Sequence, residues 1–340
     1  MQSTAKHILV IRFSSLGDVA MTVPVVAAFS EAHPKIKISV LTKQQFAPLF
    51  AHISTVEVVG VDLKKEFKGF FGLFRLAKKI KTLKVDAVAD LHNVLRTKVL
   101  SFFLPKHQWS ILDKARTEKR LLISGQKFEP LRPMIERYAD VFRGLGFDFS
   151  LGNFQSPKPQ PLSKEMEILL KDKNKPYIGI APFAAYASKT YPLEKIKHVI
   201  AHLSKVECTV ILFGGGKEEI EKLTHITTSY PNVISVAGQF SLQDELILMQ
   251  QLSLMLSMDS GNAHMAALMG VKVLTLWGVT HPFSGFKPYN QPLKYCLVAN
   301  REKFPKIPTS VYGNRYPKGY EKAIETISEE SVIAAIQKLL

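Results

Sequence analysis

Short apolar runs alternate with amphipathic segments along the chain. In the first half, this pattern predicts buried strands at His7–Phe13, Ile36–Leu41, Val56–Val61 and Val85–Leu91, and helices at Val19–Ala32 and Gln45–Phe50. Strands that are separated by helices indicate a parallel sheet with crossover helices.

A proline-rich polar stretch, Gln155–Pro161, interrupts the alternation and is predicted to link two domains. Beyond it the pattern restarts, with strands at Tyr177–Ala181, Thr209–Phe213, Val233–Ser235, Leu254–Met258 and Val271–Leu276, and helices at Leu193–Ser204, Lys217–Thr228, Leu242–Gln251, Ala263–Met269 and Glu329–Leu340. A chain of 340 residues usually forms more than one core. We therefore expect domains at 1–158 and 159–340.

Composition narrows the range of cellular compartments and binding partners. Two cysteines are too few for a disulfide framework, which favours a reducing compartment. The sequence has neither an apolar run of about 18 residues nor a signal-peptide pattern, so we expect a cytoplasmic protein, with peripheral attachment to a membrane left open. The net charge of +16 suits nucleic acid, an anionic membrane surface or a phosphorylated substrate. Without a nucleic-acid-binding motif, nucleic acid is the weakest of these partners.

A turn of small residues, Ser14-Ser15-Leu16-Gly17-Asp18, follows the first predicted strand. Gly17 permits a tight turn, and Asp18 falls where the next helix starts. Its carboxylate is either a functional group at the carboxyl end of the sheet or an acid that caps the helix.

Two later turns carry single charged groups. Lys189 is the one charged residue of Pro182–Pro192 and is either a phosphate-binding lysine or a solvated one. Asp259 to His264 follows another strand, and the helix start at Ser260 and Gly261 suits a pyrophosphate. Asp259 would repel phosphate, so we expect it to position a lysine, whereas His264 either donates to phosphate or bonds internally.

Two further segments give weaker signals. Gly214 to Glu218 reads GGGKE, which matches no established nucleotide motif, although Glu218 could accept ribose hydroxyl bonds. Lys64–Lys84 combines phenylalanines at helical spacing with eight basic residues. It is either a core helix with a basic outer face, which the pattern favours, or an interfacial helix on an anionic membrane.

Taken in order, these segments resemble glycosyltransferase family 9, the heptosyltransferases. The resemblance rests on SSLGD with Pro24, on DLHNVLR at Asp90–Arg96, on Ile135–Gly146, on Pro182–Pro192 and on Met258–Pro282. The sequence departs from the family pattern at Phe183 and Tyr191, where the family usually has glycine and tryptophan.

The resemblance implies a GT-B fold, in which two doubly wound α/β domains face a central cleft. The first domain would bind the acceptor and the second the nucleotide sugar, and the terminal helix could pack back on the first. It also implies a role for each candidate residue. In the first domain, Asp18 would be the general base, with Ser14, Ser15 and Gly17 beside it and Arg96 on the acceptor side. In the second, the donor diphosphate would be bound by Lys189, Ser260, Gly261 and His264, which Asp259 would position, while Glu218 would contact the ribose and Phe240 would lie near the base.

The implied reaction is an inverting transfer of heptose from ADP-heptose to a lipopolysaccharide inner-core acceptor, an anionic glycolipid. It would use no cofactor and no metal, since the sequence lacks a D-x-D pair. Two other functions stay open. One is a transferase of the same fold with another nucleotide sugar, and the other is a catalytically silent protein that binds sugar nucleotide or glycolipid.

Overall fold

A computed structural model describes residues 4–152, 154–170 and 175–340. The chain divides into two compact units. The first contains the chain up to Arg116 together with Arg132–Gln155, and the second contains Thr117–Leu131 and Ser156–Leu340. The final boundary between the two units, after Gln155, lies at the start of the predicted linker. The chain also makes an earlier excursion, at Thr117–Leu131, from the first unit into the second, and this excursion was not predicted.

The first unit has a parallel sheet whose strand order is β3-β2-β1-β4-β5. Its strands are β1 (His7–Ile11), β2 (Lys37–Lys43), β3 (Val56–Val61), β4 (Ala87–Asp90) and β5 (Gln108–Ile111). Its helices are α1 (Leu16–Ala32), α2 (Gly69–Thr82), α3 (Leu95–Phe103) and α5 (Met134–Arg143), while α4 (Arg116–Ile123) leads into the second unit.

The second unit has another parallel sheet, in the order β11-β10-β9-β6-β7-β8. Its strands are β6 (Tyr177–Ala181), β7 (Thr209–Leu212), β8 (Val233–Ser235), β9 (Leu254–Met258), β10 (Lys272–Trp277) and β11 (Cys296–Val298). Its helices are α6 (Lys164–Leu169), α7 (Leu193–Leu203), α8 (Lys217–Thr227), α9 (Leu242–Met249), α10 (Gly261–Leu268) and α11 (Glu329–Leu339).

Each sheet contains one point at which the strand order reverses. In the first unit the chain builds β1, β2 and β3 in one direction and then places β4 on the other side of β1. In the second unit the reversal lies between β6 and β9. Ligands of open α/β sheets bind outside the carboxyl ends of the strands at such a switch point. The fold therefore marks one candidate location in each unit.

Burial explains why the central strands were readable from the sequence. Every residue of β1, β6 and β9 is buried, as expected for strands that helices cover on both faces. The edge strands β5 and β11 were missed. They are three or four residues long and only partly buried, so they lack the continuous apolar run on which the prediction relied.

Two predicted elements differ in type or extent. Helix α1 begins at Leu16, three residues before the predicted start, because Ser15 and Asp18 form a capping pair there. The segment Gln44–Phe50 is a 3₁₀ helix with Pro48 inside it. Proline has no N–H to donate, so it interrupts the hydrogen-bond ladder of a longer α-helix.

The terminal helix contributes to the core of the second unit. Val332, Ile336 and Leu339 of α11 join the core that contains β6, β9 and β10. Glu329 at its start accepts a salt bridge from Lys195 of α7 at 2.8 Å. Ser328 caps the helix by accepting from the Ser331 N–H.

The excursion at Thr117–Leu131 is fixed by aromatic contacts of the second unit. The Phe128 ring packs 5.0 Å from Phe283 and carries the Arg301 guanidinium at 3.4 Å from its centre. The Leu131 N–H donates to the Phe283 carbonyl at 2.8 Å. Local helix or strand propensity cannot predict that Thr117–Leu131 joins the second unit, because this depends on contacts with side chains that lie about 150 residues away in the sequence.

Candidate active site

The first candidate cluster lies at the switch point of the first unit, where β1 and β4 end. Asp18 is the third residue of α1, and its Oδ2 accepts from the Ser15 N–H at 3.1 Å and from the Ser15 hydroxyl at 2.7 Å. The same oxygen forms a salt bridge with Arg12 Nη2 at 2.7 Å. Asp18 therefore does cap its helix, as one interpretation expected, but the cap also fixes the carboxylate in one orientation.

Arg12 is the partner that the sequence analysis missed. It ends the apolar run of β1, is buried, and donates from Nη1 to the Leu91 carbonyl at 2.6 Å. Its guanidinium also lies 5.7 Å from the centre of the Tyr138 ring. A buried arginine needs a carboxylate partner and satisfied donors. The sequence did contain a signal for this pair, since an arginine within the apolar run ILVIRF indicates a buried cation that needs a carboxylate partner.

His92 forms the opposite wall of this cluster and is neutral. Its Nδ1 accepts from the Phe13 N–H at 3.4 Å, which leaves the ring proton on Nε2. Burial is the largest cause that lowers the pKa of His92 to about 3; the charges of Arg12, Lys114 and Arg96 act in the same direction, and the Asp18 carboxylate acts against them. Asp90 orients the turn by accepting from the N–H groups of His92 and Asn93 at 2.9 and 2.8 Å.

Lys114 adds a second cation that was not predicted. Burial lowers its pKa, and the neighbouring Arg12 and Arg116 lower it in the same direction, whereas Asp90 and Asp18 raise it. Predicted Arg96 is exposed in the first turn of α3 and is near enough for its charge to act on His92. The cluster is therefore a cationic environment around the Asp18 carboxylate, suited to an anionic molecule that carries a hydroxyl.

The other predicted residues of this turn lie beside Asp18. Ser14 and Ser15 are joined by a cis peptide bond, and Gly17 is buried in the first turn of α1. Ser15 is the one that touches the carboxylate, through both its backbone N–H and its hydroxyl.

The second candidate cluster lies at the switch point of the second unit, between β6 and β9. The Lys189 ammonium lies 3.0 Å from Asp259 Oδ2, and the two side chains are 12% and 9% exposed. The same oxygen accepts from the Thr280 hydroxyl at 2.9 Å. Lys189 is therefore a partly buried, paired lysine, so the solvated alternative is wrong.

Backbone contacts hold Lys189 in place. The Ser188 hydroxyl donates to the Gly313 carbonyl at 2.5 Å. A Cβ at Gly278 would lie 2.4 Å from the Ser188 carbonyl oxygen, and one at Gly313 would lie 2.6 Å from Lys189 Cγ. Only glycine permits these approaches, so Gly278 and Gly313 are part of the site although no motif marked them.

Helix α10 starts directly after Asp259. Ser260 is its N-cap, with its hydroxyl 3.1 Å from that of Ser257, and Gly261 is its first residue. The first turn of a helix presents N–H groups that have no acceptor within the helix and favours anions. His264 is buried one turn further along. Lys189 pairs with Asp259, and the start of α10 directly follows Asp259 in the chain, so one carboxylate adjoins both.

Glu218, in the first turn of α8, and Phe240, in the loop after β8, lie further along the same edge of the sheet. Glu218 is exposed and pairs with Lys222 at 2.6 Å, and this hydrogen bond lowers the pKa of its carboxyl. Glu219 is the residue that closes the glycine turn, by accepting from the Gly215 N–H at 2.8 Å. Along the edge, the site residues thus follow strand order: Thr280, Asp259, Lys189, Glu218 and Phe240.

Within the described ranges, no group of three or more histidine, cysteine, aspartate or glutamate side chains could hold a metal ion. A search of the same residues for helices able to cross a membrane finds none.

Comparison with known proteins identifies relatives of this arrangement. The family model of glycosyltransferase family 9 (heptosyltransferase) matches residues 73–314, more than two thirds of the chain. The chain is 23% identical over 291 residues to the lipopolysaccharide core heptosyltransferase OpsX of Haemophilus influenzae, covering 84% of this chain and 82% of that protein.

Solved structures show the same fold. A glycosyl transferase family 9 protein from Veillonella parvula matches with a TM-score of 0.76 and 22% identity, covering 98% of this chain and 97% of that one. E. coli heptosyltransferase WaaC with ADP matches with a TM-score of 0.69 and 18% identity, covering 98% and 100%. WaaC with ADP-2-deoxy-2-fluoro heptose gives a TM-score of 0.64 at the same identity and coverage. The predicted GT-B fold, with its two parallel α/β sheets, is confirmed.

The burial of His92 predicts a pH-dependent stability. Because the folded pKa is about 3 and the ordinary value is 6.5, the unfolded chain binds this proton at a higher pH than the folded chain does. The stability that a neutral His92 contributes is present above that ordinary value and declines as the pH falls below it. Urea denaturation of the wild type and of His92→Gln should show a smaller loss between neutral and mildly acidic pH in the variant. An equal loss in both proteins would contradict the assignment.

The Lys189–Asp259 pair predicts non-additive stability losses. Removing one partner of a buried ion pair typically costs about 3–5 kcal/mol because the other charge is left uncompensated. Lys189→Met and Asp259→Asn should each destabilise the protein, and the double variant should lose less than the sum by about 0.5–3 kcal/mol. Chemical denaturation of the four proteins measures this coupling. Additive losses would mean that the two groups do not stabilise each other.

Proposed function

The chain belongs to glycosyltransferase family 9, the heptosyltransferases, and from that premise we propose that it transfers heptose from ADP-heptose to an inner-core sugar of lipopolysaccharide. The observation that carries the donor assignment is the partly buried Lys189 ammonium paired with Asp259, the residue that directly precedes the N-cap of α10. A cation and a helix start that adjoin one carboxylate suit a phosphate-bearing ligand such as a diphosphate. The ADP in the related WaaC structure supports adenine as the base.

In the proposed reaction the second unit binds the donor. Lys189 and the N–H groups at Ser260 and Gly261 contact the diphosphate, and Asp259 holds Lys189 in position. As the bond between the anomeric carbon and the phosphate oxygen breaks, its electron pair goes to the departing ADP. The donors that were already in place stabilise this charge without rearranging. Glu218 contacts the ribose, and Phe240 lies near the adenine.

The first unit binds and activates the acceptor. Asp18 takes the proton of the attacking hydroxyl, whose oxygen bonds to the anomeric carbon on the face opposite ADP and inverts it. Because Oδ2 already accepts from Arg12 and Ser15, the proton goes to Oδ1. Arg96 and Lys114 attract the anionic groups of an inner-core glycolipid. The acceptor would be reached at the cytoplasmic face of the inner membrane.

Nucleotide binding tests the donor assignment. Calorimetry with ADP, UDP, GDP and their sugars should show tight, saturable binding of the adenosine compounds. Lys189→Ala should weaken ADP binding roughly ten- to hundredfold, since a charge-assisted contact is worth about 1.5–3 kcal/mol. Lys197→Ala removes a lysine that pairs with Glu194 on the surface and serves as the matched control. A clear preference for uridine or guanosine nucleotides would refute the ADP-sugar assignment.

Asp18→Asn tests the base. Asparagine keeps the shape and can still cap the helix, but it cannot take the acceptor proton. Turnover should fall by about 10²–10⁴-fold while nucleotide affinity stays nearly unchanged.

The matched control for Asp18→Asn is Asp244→Asn, which changes the carboxylate that accepts from Ser241 in the corresponding cap of α9. This variant should keep most of the turnover. If Asp18→Asn retains more than about a tenth of wild-type turnover, the loss lies below the usual range of general-base catalysis and Asp18 is only a capping residue.

A further inference from the structure

Helices α2 and α3 of the first unit present a surface of apolar side chains to solvent. This aromatic patch consists of Phe70, Phe71, Phe74, Leu95, Phe102 and Phe103. Phe71, Leu95 and Phe102 are 80%, 77% and 76% exposed. Exposed apolar residues are ordinary when scattered, but a contiguous group marks an interaction site.

The patch is contiguous across both helices. The Phe103 ring of α3 lies 5.2 Å from Phe70 and 5.4 Å from Phe74 of α2, measured between ring centres. Phe102 adjoins Phe103 at 5.6 Å, and Phe71 adjoins Phe70 at 6.0 Å. The rings therefore form one surface, whose α3 half lies outside the Lys64–Lys84 segment singled out in the sequence.

Of the patch, only Phe103 packs against the core of the first unit, and it is partly buried there. Leu73, Leu76, Ala77 and Ile80 of α2 face inward and are buried with the strands, together with Phe67 just before the helix. The remaining phenylalanines of α2 lie on its outer side. The core-helix interpretation of this segment is thus correct for one face only.

Basic side chains accompany the patch. Lys64–Lys84 contains eight lysines and arginines against one glutamate, and residues 95–106 contain three against no acidic residue. The Lys78 ammonium lies 4.8 Å from the centre of the Phe74 ring. Lysines and arginines close to an anionic bilayer are attracted by its negative surface potential. Apolar side chains beside basic ones are the composition of an interfacial membrane-binding surface.

We propose that the aromatic patch docks this protein on an anionic phospholipid bilayer. Phe71, Leu95 and Phe102 enter the boundary between headgroups and acyl chains, while the lysines of α2 bind the headgroups. A second copy of this chain is a poorer occupant, because each copy carries a net charge of +16 and the surrounding lysines would repel each other. The proposal is independent of the sugar that the enzyme transfers, and its test needs neither donor nor acceptor.

Vesicle co-sedimentation with the full chain tests the docking. The wild type should bind phosphatidylglycerol-containing vesicles at low salt, bind much less at about 0.5 M salt, and bind pure phosphatidylcholine weakly. Phe71→Ser with Phe102→Ser should weaken binding by at least about tenfold, since each ring loses its burial in the interface. The matched control, Ile168→Ser with Val206→Ser, removes two exposed apolar side chains of the second unit and should bind like the wild type.

Insertion is tested separately with Phe71→Trp in vesicles whose lipids carry brominated acyl chains. Its fluorescence should be quenched on binding, whereas that of Ile168→Trp should not be. Three results would overturn the proposal: unchanged vesicle binding in the double phenylalanine variant, an equal loss in the control pair, or no extra quenching at Phe71→Trp. A wild type that sediments as an oligomer and becomes monomeric in the double variant would instead identify the patch as a contact between copies.

Discussion

Parallel strands that are joined by crossover helices all deliver the chain to the same edge of the sheet, and the strand order opens a gap at that edge where it reverses. This constraint positions nearly every functional group described above. Asp18 and His92 follow the two strands that flank the reversal in the first unit. Lys189 and Asp259 follow the two strands that flank it in the second. Residues that are distant in sequence thus meet because of topology.

Each switch point holds a cation and a carboxylate that are both shielded from water. Burying either charge alone would be costly, so each group depends on its partner for a defined position. In the first unit, Arg12 and Ser15 both bind one oxygen of Asp18. In the second, Lys189 and Thr280 share one oxygen of Asp259. The same arrangement serves opposite purposes in the proposed reaction, since it presents a carboxylate in one unit and an ammonium in the other.

On the surface of the first unit, aromatic side chains are exposed to solvent instead of being buried as they are in its interior. Helix α2 has one face that completes the core and another that exposes aromatic rings among lysines. The glycolipid acceptor of the proposed reaction would be met at a bilayer surface. Electrostatic attraction acts over about a Debye length, whereas ring insertion acts only on contact. The two features together would give attachment that is reversible and selective for anionic lipid.

The sequence by itself determined the central strands, the parallel architecture and the family, because continuous apolar runs and the turns that follow them are local properties. It also located Asp18, Lys189 and Asp259 within those turns. It missed the short edge strands β5 and β11, whose pairing rather than composition makes them strands. Only the tertiary structure decided that Arg12 holds Asp18, that Gly278 and Gly313 make room for the Lys189 turn, and that α11 packs within the second unit. Those contacts join segments that no pattern along the chain relates, and their energies depend on burial, which arises only once the sheets have assembled.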